Sequence, residues 1–169
     1  MKEKYNGEVA FFTGNAAKKQ AENEIMQCNE ITEKFGLRLT QKQASELITV
    51  RELVLSANGR IEFGGGAVDK LIREFCDSPF ISMNNYEEVL HDLVEIFYSY
   101  KNETLDQISD EELIQFMKHA FDGVCHGSIE LLSERELTKM ARALRDGHSY
   151  QEFENDLGEA EMEEEIDEY

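Results

Sequence analysis

Apolar side chains in this chain return every third or fourth residue, stretch after stretch, and that period constrains the fold more than any other feature. The clearest case is Tyr86, Val89, Leu90, Leu93, Phe97 and Tyr100. This spacing lines one side of an α-helix and scatters over both faces of a strand. Similar stripes are formed by Ala21, Ile25, Cys28, Ile31 and Phe35, by Leu47, Val50, Val54 and Ala57, and by Val68, Leu71, Ile72 and Phe75. Two more are formed by Leu113, Met117, Ala120, Phe121 and Val124, and by Leu137, Met140, Ala141 and Leu144. The only proline is Pro79, which leaves the other segments free of the residue that most strongly interrupts a helix.

Punctuation falls between the stripes. Gly36 and Gly147 stand where helices must stop, because glycine enters the left-handed conformation cheaply. Thr40 with Gln43, Ser109 with Glu112, and Ser133 with Glu136 have the spacing of capping boxes. Asn84 or Asn85 can cap the helix that begins at Tyr86. Asn58-Gly59 ends the second helix, Arg60 to Phe63 is expected to be briefly extended, and Gly64-Gly65-Gly66 leads into the third helix. No such helix is stable alone at this length, so the stripes must bury one another. The expected fold is all-α, a single-domain bundle or irregular array of about six helices. Residues 15–150 form the domain, 1–14 a flexible arm and 151–169 an acidic disordered tail.

Charge narrows the range of partners. The 169 residues carry a formal net charge of −19. Residues 151–169 hold ten acidic and no basic side chains, which leaves 26 acidic against 17 basic in residues 1–150. Binding to nucleic acid or an anionic membrane needs clustered Lys and Arg, so neither is expected as a direct partner. No apolar run approaches the roughly 20 residues of a membrane span. The island from Val9 to Phe12 is too short for a signal-peptide core. Three widely spaced cysteines, Cys28, Cys76 and Cys125, imply no disulfide framework and fit a reducing cytoplasm.

Four features could carry chemistry. The loop Asn58-Gly59-Arg60-Ile61-Glu62-Phe63 looks like the middle of an EF-hand. In that register, however, Val54 and Gly65 fall where calcium needs its first and last ligands, so no calcium site is expected. The triple glycine could cradle a phosphate at a helix N-terminus, yet no Gly-Lys-Ser/Thr sequence follows it. His119, Cys125 and His126 could hold zinc or supply a reactive thiol, with a further ligand such as His91 or Cys76 drawn from elsewhere. The simpler reading makes His126 part of a helix end and Cys28 part of the core. Finally, Arg135, Lys139, Arg142 and Arg145 form the densest basic cluster, a docking strip for something acidic, with the chain's own tail the nearest candidate.

Within this chain, RELVLSANGRIEFGGGAVDKLIREFCDSPFI, together with FDGVCHGSIELLS, resembles an uncharacterised bacterial family known only as a domain of unknown function. The resemblance covers about residues 40–146. It implies a small helical cytoplasmic protein and carries no catalytic residue across. With no catalytic set and no cofactor motif, the expected function is a non-enzymatic protein-interaction or regulatory module. The alternatives are an acidic inhibitor that imitates DNA, or a metal-binding protein or enzyme built on His119, Cys125 and His126.

Overall fold

The computed structural model describes residues 16–105, 107–149 and 151–152. Among them the regular structure is entirely helical. Helix α1 covers residues 16–27 and runs on through Asn29–Thr32 and a 3-10 turn at Glu33–Phe35. Then follow α2 (Gln41–Ala57), α3 (Gly66–Phe75), α4 (Tyr86–Glu103), α5 (Asp110–Asp122) and α6 (Leu137–Arg145). A short turn, Ile129–Leu131, and a π-helical stretch, Leu132–Glu136, lead into α6. The expected arm 1–14 and residues 153–169 of the expected tail lie outside the described residues; Gln151 and Glu152 are helical.

One continuous core takes side chains from all six helices. The stripes of α3, α4 and α5 are buried throughout. Each such Val, Leu, Ile or Phe contributes about 1.5–3 kcal/mol by leaving water. Elsewhere the period overreaches. Ile31 and Phe35 are 36% and 51% exposed, and Phe35 closes a 3-10 turn that ends at the left-handed Gly36. Leu37 and Leu39 are buried in their place. Ala57, at the end of α2, is exposed too.

Caps decide where the helices begin. Thr40 and Gln43 form the full reciprocal box. Ser109 accepts from the amide of Glu112 and donates its own hydroxyl to that residue's carboxylate. Ser133 does not cap anything, and it lies within the π-helical stretch. The cap is Ser128, which accepts from the amide of Leu131, so the last helical segment begins earlier than the Ser133–Glu136 spacing implies. The wider turn at Leu132–Glu136 leaves the Ser133 carbonyl to accept from the Tyr100 hydroxyl at 2.5 Å, which ties α4 to the last helix. Asn85 is the residue before α4 but makes no side-chain cap. Its side chain instead accepts from the Ser82 amide and donates to the Phe80 carbonyl, closing the turn after Pro79. Residues 60–63 form no strand.

Polar clamps fix the connections. The Asn29 side chain donates to the Leu39 carbonyl and accepts from its amide, both at 2.9 Å, and thereby satisfies the backbone groups of Leu39. Lys118 on α5 sits 2.7 Å from both Asp77 and Asp122, and Ser78 donates to Asp122 at 2.6 Å, which holds the end of α3 against α5. Helices α2 and α4 share an extensive contact. Gln43 meets Glu87 near their N-termini, and Arg51 reaches Tyr98 through Glu62 further along, so the two run side by side in one direction.

Candidate functional site

The loop between α2 and α3 is organised by a side chain that a helical stripe gives no reason to bury. Arg51 is 2% exposed. Its Nη1 donates to the Gly64 carbonyl at 2.5 Å and lies 3.6 Å from Glu62 Oε1. Its Nη2 pairs with Glu52 at 3.1 Å. The same Glu62 oxygen accepts from the Tyr98 hydroxyl at 2.7 Å and from the Ala67 amide at 2.9 Å. Burial, reinforced by the Glu62 charge, pushes the Tyr98 phenol up, so it stays a donor.

This arrangement answers the calcium and phosphate questions together. The guanidinium already supplies a fixed positive charge inside the loop, and Glu62, its one central carboxylate, is committed to it. The amides that could hold a phosphate at the start of α3 are also taken. Ala67 donates to Glu62, and Gly65 donates to Glu24 of α1. The triple glycine therefore receives the chain's own carboxylates. A Cβ on Gly66 would stand 1.8 Å from Glu62 Oε1, and one on Gly64 would stand 2.5 Å from Glu24 Oε2.

The region of His119, Cys125 and His126 closes the end of α5. The Cys125 amide donates to the Ala120 carbonyl at 2.9 Å and the Gly127 amide to the Phe121 carbonyl at 2.7 Å. His126 takes a left-handed conformation with φ 48°, and its side chain is exposed while Cys125 is buried. Burial pushes the Cys125 thiol up to about 11, with Glu136 adding to the shift against Arg135. Cys28 is likewise buried; burial and a 2.7 Å hydrogen bond to Asp69 raise its thiol to about 12. Neither is a thiolate poised for attack. These three residues are not a set of converging ligand atoms. Among the described residues, such a set is formed by Glu46, Glu87 and His91.

The four basic residues of the last helix part company. Arg135, Lys139 and Arg142 line a hollow of about 320 Å³ with Glu130, Leu131, Glu134 and Thr138. Arg135 leans back onto Glu136 at 2.6 Å and the Val124 carbonyl at 3.1 Å. Lys139 and Arg142 form no ion pair among the described residues. Arg145 sits outside the hollow, 3.5 Å from Glu103 of α4. The π-helical stretch adds a residue between Arg135 and the helix that carries the others, and it shapes the rim of this hollow.

Sequence reasoning passed over Arg51 and the Glu46, Glu87 and His91 group. Glu87 and His91 are four apart on one helix, a readable spacing, but Glu46 joins them only by tertiary packing.

No curated protein and no solved structure matches this chain. Residues 24–150, which include every helix from the end of α1 to α6, match the Family of unknown function (DUF6323), and the chain belongs to that family.

Proposed function

We propose that this chain is a non-enzymatic protein-interaction module of the cytoplasm, and that it docks an acidic segment of another protein in the hollow beside α6. The hollow carries the reading: Arg135, Lys139 and Arg142 surround the part-exposed Leu131 on a chain whose net charge is −19. Lys139 and Arg142, which form no ion pair among the described residues, beside an apolar floor suit a carboxylate-rich peptide with one apolar anchor. The overall charge disfavours nucleic acid and anionic membranes as competitors. No helix among the described residues is long and apolar enough to cross a membrane.

The acidic C-terminal segment begins shortly after α6. It would compete for the same hollow at high effective concentration and regulate docking. Each exposed ion pair contributes only about 0–1 kcal/mol, so this competition would be readily displaced and sensitive to salt. Capture from a cell lysate tests the reading, with the wild type, Lys139→Glu/Arg142→Glu and a chain ending at Tyr150 as baits. An acidic partner retained by the wild type, lost from the double variant and gained by the shortened chain is the expected result. Equal capture by the wild type and the double variant would sink it.

A further inference from the structure

Helices α2 and α4 bring together three side chains with metal-binding chemistry. Glu87 and His91 stand four residues apart on α4 and so share a face. Glu46 comes from α2. One potential ligand atom of each lies within 4.8 Å of the other two, and all three residues are half-buried. Gln43, one turn before Glu46, donates to Glu87 Oε2 at 3.1 Å; its own Oε1 is fixed by the Thr40 amide. The capping box of α2 thus orients a carboxylate of α4.

Two further observations set this group apart from a surface cluster of acids. The Nε2 of His91 is shielded from solvent and has no hydrogen-bond partner among the described residues. A buried polar atom of this kind ordinarily has one. Second, packing of α2 on α4 sets the Glu46 and Glu87 carboxylates within 4.8 Å of each other, where two negative charges repel. Lys42 faces both carboxylates, and Asp92 lies near His91. The group joins a like-charge pair to an imidazole, and a cation with affinity for both oxygen and nitrogen satisfies all three side chains.

We propose that Glu46, Glu87 and His91 form a binding site for a divalent first-row transition-metal ion. Zinc takes such mixed oxygen and nitrogen donors at about 2.0–2.2 Å, which puts neighbouring donors roughly 3.4 Å apart. The ligand atoms, now within 4.8 Å of one another, would close by at most about 1.4 Å. Three protein ligands leave a coordination position for water. Calcium fits poorly, because it wants about 6–8 oxygens. Protons and the ion compete for the same ligand atoms, so affinity rises with pH.

The test uses the full chain, stripped with a chelator and titrated with zinc against a chromophoric competitor at pH 7.5. One equivalent of zinc should bind, and Glu46→Gln and His91→Asn should each weaken binding about 100-fold. NMR of the wild-type histidine rings needs no variant: zinc should shift His91 and leave His119, His126 and His148 in place. Absence of saturable binding would overturn the proposal. So would zinc that shifts another ring instead, or binding unchanged in both variants.

Discussion

Arg51 and Glu62 hold the loop before α3 together: the guanidinium lies 3.6 Å from the carboxylate while donating to the Gly64 carbonyl. Replacing Arg51 with alanine leaves the Gly64 carbonyl without its partner and Glu62 without its countercharge, with only the Tyr98 hydroxyl and the Ala67 amide to hold it. Breaking a buried pair in this way costs about 3–5 kcal/mol. Urea denaturation should show that loss for Arg51→Ala, with a smaller one for Tyr98→Phe, which removes a single hydrogen bond. A loss under about 1 kcal/mol for Arg51→Ala would mean that the loop does not depend on the pair.

The glycines of this loop differ in what surrounds them. Gly59 has φ 66° with open space where a Cβ would go, whereas Gly66 has φ 53° and the Glu62 carboxylate in that place. Gly59→Ala should cost about 1 kcal/mol from backbone strain alone. Gly66→Ala adds a clash and should cost about 2–4 kcal/mol. Melting curves for the two variants compare them directly, and equal costs would show that Glu62 swings aside freely.

Alkaline pH should expose the buried thiols. Cys28 and Cys125 are raised to about 12 and about 11 from an ordinary value of 9.0, and burial raises Cys76 as well. In the unfolded chain these groups ionise first. The stability that depends on neutral thiols is therefore fully present below about pH 9 and is lost as pH climbs through the folded values. Thermal melts should hold steady up to pH 9 and fall between 9 and 12, less steeply for Cys28→Ala. A disulfide reagent at pH 8 should label the thiols only after denaturation, and rapid labelling of the native protein would contradict the burial.

Calcium should not bind the loop between α2 and α3. Glu62 is engaged by Arg51, Tyr98 and the Ala67 amide, and a divalent ion would have to enter beside a guanidinium. Calorimetric titration at micromolar calcium should give no saturable heat. A stoichiometric curve abolished by Glu62→Gln would reverse this conclusion.

The sequence by itself determined the all-α class and most helix positions, because a 3.6-residue apolar period and local caps are properties of short segments. Leu93 is buried on the stripe to which its spacing assigns it, and Thr40 caps the helix that its spacing marks. Tertiary structure decided whatever depended on a second element. Ile31 continues a stripe yet meets water, because no other element packs over it. Ser133 resembles a cap, but its carbonyl is drawn to Tyr100 and the helix starts at Ser128. Arg51 reads as a solvent-facing charge until Glu62 and Gly64 fold over it. Glu46 becomes a neighbour of Glu87 and His91 only because α2 and α4 pack side by side. Local periodicity records which face of a helix avoids water; it holds no record of which polar groups another helix will bring to meet it.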